Sequence, residues 1–204
     1  MILKSNKIIF VHIPKTGGTS VEVTMNGRGE PEPTKHLTIQ QLKDHAVQHL
    51  THDWNDYHKF TIVRNPWDCM VSWWKWRSTI CKRLTPEEYI AADTPESFKT
   101  FITSFPDLVP GNPHIPGGRT YMDYIAIDDE IEVDTILRFE NLQSDWSRLV
   151  EKLKLPYNKK LPYVNKTQRR HYSCYYDEFT IDLVNKKFHK EIDIFNYEFE
   201  YENP

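Results

Sequence analysis

The apolar run Ile8-Ile9-Phe10-Val11 leads into Ile13-Pro14-Lys15-Thr16-Gly17-Gly18-Thr19-Ser20, and this junction narrows the fold more than any other stretch of the chain. A short β-branched run bounded by Pro and Gly reads as a buried strand feeding a turn. Val21, Glu22, Val23 and Met25 then continue as a helix. Strand, Gly-Gly turn and helix N-terminus together make an anion site. Glycines let the backbone approach a ligand, and the unpaired N–H groups of the helix start point at it. Lys15 adds a full positive charge, and Thr16, Thr19 and Ser20 add hydroxyl donors. The ATP-binding P-loop places its lysine after the glycines, as Gly-x4-Gly-Lys-Ser/Thr; here Lys15 precedes Gly17 and Gly18.

A second junction has the same logic. Phe60-Thr61-Ile62-Val63 reads as another buried strand, followed by Arg64-Asn65-Pro66-Trp67-Asp68-Cys69-Met70-Val71-Ser72. Pro66 suits the first turn of a helix, so Arg64 ends the strand and Ser72 lies two turns into the helix. An arginine fork with a nearby hydroxyl makes a pincer for a second phosphate. The pair of motifs, "HIPKTGGTS" and "FTIVRNPWD", resembles the signature of sulfotransferases that use 3′-phosphoadenosine 5′-phosphosulfate (PAPS), and is nearest to their carbohydrate-type, family 2-like branch. Two further stretches fit the resemblance, "ILRFENL" at 136–142 and "LPYVNKTQRR" at 161–170. Cys69 departs from it, where arginine is usual, as does Trp73-Trp74, where a tyrosine is common.

The resemblance implies an enzyme that moves a sulfuryl group from PAPS to an acceptor hydroxyl, of a carbohydrate by branch, and releases adenosine 3′,5′-bisphosphate. It implies no metal. Lys15, Thr16, Gly17, Gly18, Thr19, Ser20, Arg64 and Ser72 would hold the donor. Basic residues gather at Lys159, Lys160, Lys166, Arg169 and Arg170. Composition alone reads them equally well as a solvated loop; the resemblance favours Lys166, Arg169 and Arg170 closing over the nucleotide.

Sulfuryl transfer requires loss of the acceptor proton and stabilisation of the departing oxygen. Lys15 suits the second task, because its ammonium can sit at the bridging oxygen. For the base, His36 stands out among nine histidines. It lies between a Pro-rich loop and an amphipathic helix (Ile39, Leu42, Ala46, Val47, Leu50), and its segment resembles the family's Lys-His stretch. A neutral imidazole near its ordinary pKa of ~6.5 suits the task. His12 is expected to pack beside the first turn. His45, His49, His52 and Asp53 have a spacing that a zinc site also uses, but an exposed helix end is the plainer reading. Trp67, Trp73, Trp74 and Trp76 are expected mostly in the core, with one or two open to stacking on adenine or a sugar ring.

The chain has 204 residues and reads as one sulfotransferase domain, 1–204, large enough to bury roughly 70% of its unfolded surface. A net charge of −3 argues against nucleic acid or an anionic membrane as partner. Three cysteines without metal spacing suit a reducing compartment. No stretch reaches the ~20 apolar residues of a membrane span, and the N-terminus lacks a secretory pattern, so a cytoplasmic location is expected.

Strands are predicted near 7–12, 59–63 and 134–139. Helices are predicted near 18–26, 38–49, 66–82, 86–103, 141–154 (capped by Asn141) and 176–190, with a small hairpin within 124–133. Alternating β and α units predict a P-loop-like, three-layer α/β/α fold with a central parallel sheet. Its ligand would sit at the carboxyl ends of the strands. Residues 105–118 form the one long irregular loop, read either as a lid or as a tolerated insertion.

Two other functions compete. A nucleotide-dependent phosphoryl-transfer enzyme lacks its lysine motif and a clear Mg²⁺ carboxylate, Glu140 being the only tempting one. A non-catalytic nucleotide-binding protein is favoured if His36 turns away from the cleft.

Overall fold

Residues 1–26, 34–49, 53–80, 93–104, 119–164 and 169–202 are described by the computed structural model. Its strands are β1 (Ile2–Leu3), β2 (Ile8–Val11), β3 (His58–Val63), β4 (Ala126–Ile127), β5 (Glu130–Ile131) and β6 (Thr135–Arg138). Its helices are α1 (Gly18–Asn26), α2 (Ile39–His49), α3 (Pro66–Ile80), α4 (Pro95–Thr103), α5 (Tyr121–Ile125), α6 (Leu142–Lys152), α7 (Glu178–Lys187) and α8 (His189–Phe195). The chain divides into two compact units, Met1–Arg64 with Tyr121–Asn165, and Asn65–Thr120 with Lys166–Pro204.

The first unit holds a mixed sheet in the order β1-β2-β3-β6. Strands β2, β3 and β6 are parallel, with Phe10 beside Phe60 and Ile62 beside Leu137. Strand β1 adds an antiparallel edge that the sequence reading did not assign. Two residues are too few for a strand pattern, and a 3-10 turn with left-handed Lys7 separates them from β2.

Alternation sorts the side chains of the sheet. Ile8, Phe10, Phe60, Ile62 and Leu137 face a core filled by Val21 and Met25 of α1 and by Trp146, Leu149 and Val150 of α6. Ile9, Val11, Thr61 and Val63 point the other way and are also fully buried. Burial on both faces explains why these strands read as unbroken apolar runs.

Helix α1 follows the Gly-Gly turn as expected, and α6 buries the expected stripe. Asn141 stands before α6 but makes no side-chain capping bond. A 3-10 turn over Phe139–Asn141 intervenes, and Asp145 instead accepts from the Arg138 N–H. On α2, Ile39, Leu42 and Ala46 are buried, whereas Val47 is 82% exposed. Val47 lies about 100° around the helix from Ala46, off the stripe; Leu50 lies outside the described residues. The hairpin is shorter than predicted. Tyr124 and Ile125 belong to α5, and Asp128 and Asp129, both left-handed, turn β4 into β5.

The second unit is helical among its described residues. Asn65 starts α3 by accepting from the N–H groups of Trp67 and Asp68, with Pro66 as first helical residue. The helix predicted over 86–103 starts, within the described residues, only at Pro95. Thr94 is extended, as a residue before proline prefers, and its hydroxyl accepts from the Ser97 N–H. Residues 86–92 and 105–118 lie outside the description. The helix predicted over 176–190 is two helices broken at buried Phe188, the first opened by a capping box between Asp177 and Thr180. Trp67, Trp73 and Trp74 are buried, and Trp74 meets Phe98 and Tyr175 edge-on. They serve as core, which leaves no exposed ring face on them for a nucleotide.

Candidate active site

The loop between β2 and α1 is held in an unusual backbone. Lys15 has φ 67° and Gly17 φ 87°, on either side of Thr16. For lysine the left-handed conformation costs about 1–2 kcal/mol. Alternation of this kind gathers N–H groups into a concavity for an anion. The first turn of α1 carries no acidic side chain to oppose one, so the loop suits an anionic ligand. Thr16 is fully buried and its hydroxyl donates to the Ile13 carbonyl at 2.8 Å, bracing the turn rather than facing outward. Thr19 is half-buried, and Ser20 is buried with its N–H bonded to the Gly17 carbonyl.

The two glycines serve different needs. Gly17 supplies the positive φ. Gly18 is helical, and a Cβ there would lie 2.3 Å from His12 Cδ2. The histidine ring therefore leaves no room for a side chain at Gly18.

His12, at the end of β2, is 3% exposed and stacks on Phe10. Its Nδ1 bonds Glu22 Oε1 at 2.7 Å. Glu22 Oε2 accepts from Lys35 Nζ, also at 2.7 Å. Burial alone would raise the Glu22 carboxyl. The hydrogen bonds and charges of His12 and Lys35 outweigh burial and hold it at about 2. Burial also lowers His12 below the ordinary imidazole value.

His36 sits against this group, its ring centroid 4.4 Å from that of His12, and its Nδ1 donates to the His12 carbonyl at 2.9 Å. Its φ is 62°. Burial first, then the neighbouring His12 and Lys35, bring its pKa down to about 4 rather than the ordinary 6.5. His36 is thus neutral at physiological pH, by a wider margin than its sequence allowed.

Arg64, 6% exposed, donates from Nη1 to the Lys15 carbonyl at 2.7 Å and lies 3.8 Å over the Phe139 ring. Its own carbonyl accepts from the Tyr121 hydroxyl at 2.7 Å. Arg64 is thereby tied to the Lys15 loop inside one unit. Phe139 belongs to the "ILRFENL" stretch, and Glu140 beside it is exposed.

The remaining predicted residues are in the second unit. Ser72 is half-buried on α3. Arg169 pairs with Asp68, both side chains 15% exposed. Arg170 donates to the Asp93 carbonyl and lies over the Tyr175 ring. Lys166 lies outside the described residues, as do His52 and the side chain of His49. Lys159 and Lys160 belong to the first unit and are exposed, Lys159 pairing with Glu151. Among the described residues no group of three or more His, Cys, Asp or Glu is arranged to hold a metal ion. None of the described helices is long and apolar enough to cross a membrane.

The sequence reading missed the Glu22–Lys35 pair. The available signal was a carboxylate set between Val21 and Val23 on a helix whose neighbours are apolar, which demands a partner from elsewhere.

The fold is thus of the α/β class, a mostly parallel sheet flanked by helices, with the Lys15 loop after its second strand. The model of the sulfotransferase family matches residues 1–198, and the chain belongs to that family, in its family 2 branch. A search among curated proteins found no match.

Proposed function

We propose that the protein is a PAPS-dependent sulfotransferase whose acceptor is a hydroxyl, of a carbohydrate by family branch. The observation that carries this reading is the β2–α1 loop, with left-handed Lys15 and Gly17 ahead of a helix start free of acidic side chains. The family match runs through both units, which supports one sulfotransferase domain over 1–204. PAPS supplies the activated sulfuryl group.

In this reading Lys15, Gly17, Gly18, Thr19 and Ser20 hold the 5′ side of the donor, with Thr16 bracing the loop. Arg64 and Ser72 hold the 3′-phosphate, and Lys166, Arg169 and Arg170 complete the nucleotide site on the strength of the resemblance. His36 Nε2 takes the acceptor hydroxyl proton as the new S–O bond forms. Lys15 stabilises the negative charge left on the departing phosphate oxygen as the old S–O bond breaks. Three cysteines without metal spacing support a reducing, cytoplasmic location.

Incubation with sulfur-labelled PAPS and a panel of glycan and small-alcohol acceptors tests the proposal. Labelled acceptor together with adenosine 3′,5′-bisphosphate is expected. Transfer of label from γ-labelled ATP instead would establish the phosphoryl-transfer alternative.

A further inference from the structure

We propose that Glu22 is a positioning residue which, through Lys35 and His12, fixes the tautomer and orientation of His36 so that Nε2 is the nitrogen able to accept a proton. The inference rests on the reading of His36 as the base.

Glu22 divides its carboxylate. One oxygen holds the His12 ring and the other holds Lys35, the residue before His36. His12 has little freedom to turn. Phe10 stacks at 5.3 Å, His36 packs at 4.4 Å, and Gly18 lies against the Cδ2–Nε2 edge. The held His12 ring packs against the His36 ring, while the His12 carbonyl, at the end of β2, accepts from His36 Nδ1.

A neutral imidazole has one N–H, and a carbonyl can only accept. The hydrogen is thus on Nδ1, and the lone pair is on Nε2. This is the less common arrangement for a free histidine side chain, which prefers the hydrogen on Nε2.

The backbone of His36 needs similar help. A left-handed histidine persists only where its surroundings over-determine it. Lys35 ties the chain to Glu22 just before His36. The Leu37 N–H bonds the Thr34 carbonyl across it, and Thr38 and Gln41 exchange bonds just after it. Of these restraints only the Lys35 bond reaches back to α1, and Glu22 is its acceptor.

The test is two-bond ¹H–¹⁵N correlation NMR of the His36 ring in wild type, Glu22→Gln and Lys35→Met, read beside steady-state kinetics and thermal melts. Wild type is expected to show the Nδ1–H form at neutral pH. Both variants should shift towards a tautomer mixture and lose roughly 10–100-fold in kcat, the usual scale for outer-shell partners that orient a working histidine. Affinity for adenosine 3′,5′-bisphosphate should stay within about twofold. An Nε2–H form in wild type, an unchanged tautomer in the variants, or a loss of nucleotide affinity matching the loss of kcat would each overturn the inference. Should Glu22→Gln fail to fold, Lys35→Met interrogates the same pair from its more exposed side. The two readings separate cleanly. Full turnover in His36→Ala with a tautomer shift in Glu22→Gln removes the base and leaves the positioning. A dead His36→Ala with no tautomer shift does the reverse.

Discussion

Arg64 and Arg169 are both largely buried arginines, in different units, and they are held in opposite ways. Arg64 donates to a main-chain carbonyl and covers a phenyl ring. Arg169 is paired with the Asp68 carboxylate. A bond to a carbonyl orients a guanidinium without neutralising it, whereas a bond to a carboxylate does both. Backbone conformation divides the units in the same direction. Lys7, Lys15, Gly17, His36, Asp128, Asp129 and Lys154 are left-handed in the first unit, while Asn196, at the end of α8, is the one such residue described in the second. In the first unit two left-handed residues, Lys15 and Gly17, and the oriented cation Arg64 thus meet at one loop. The second spends its charges on its own cohesion, with buried Lys75 paired to Asp93 as a further case. A cluster of basic letters in a sequence does not reveal which kind of cation it contains.

If that contrast is right, substitutions of His36, Lys15 and Arg64 act on turnover or donor binding with little loss of stability, whereas Arg169→Ala costs stability besides any nucleotide contact it removes. His36→Ala should have the largest effect, roughly 10²–10⁴-fold in kcat, the usual scale of general-base assistance, with nearly normal donor binding. His45→Ala should leave the rate unchanged, and EDTA should have no effect. The acid limb of the wild-type kcat should lie near 4, because His36 stays neutral down to that value. The sign for stability is the same. The unfolded imidazole binds its proton at about 6.5, so the stability this residue contributes is complete above that pH and is lost as pH falls through about 4. A limb near 6.5 would mean that another group is titrating.

Lys15→Ala comes next, at roughly 10²–10³-fold in kcat, the scale for removing one donor from a site of developing charge. Product-nucleotide affinity should fall far less, and the melting temperature should hold. Turnover within a few-fold of wild type would remove Lys15 from the mechanism.

Arg64→Ala should weaken the donor roughly 10–100-fold, as expected for a lost charge-assisted contact. An analogue lacking the 3′-phosphate should lose a smaller but real share, because Arg64 also holds the Lys15 carbonyl. Equal losses by calorimetry would reduce Arg64 to a support for the loop.

Arg169→Ala should have the smallest effect on chemistry and a clear effect on folding. Removing the Arg169 guanidinium from beside half-buried Asp68 should cost about 2–3 kcal/mol, or several degrees in a melt. An unchanged melting temperature in Arg169→Ala would break the contrast between the units.

Local pattern was enough for β2, the Gly-Gly turn, α1, β3, β6 and the buried stripe of α6, because each is written in a few consecutive residues: a β-branched run, a glycine pair, or apolar residues three and four apart. The same local rules, with the family resemblance, singled out Lys15, Arg64 and His36 as candidates. Other features depend on residues distant in sequence. Strand β1 exists only because β2 lies beside it. The buried side of α2 and the break at Phe188 answer to what packs around them. Gly18 is small because of His12, and Lys15 is left-handed under a bond from a residue 49 positions away. His36 has its low pKa first from burial and then from His12 and Lys35, its Nδ1 bonds the His12 carbonyl, and the His12 ring is held by Glu22. Propensity and periodicity act within a turn of helix or a length of strand, so the sequence determined the elements and the chemical identity of the site. Desolvation, ring packing and hydrogen-bond direction depend on what the fold brings together, so only the tertiary structure decided which glycine makes room, which arginine is neutralised and which nitrogen of His36 carries the proton.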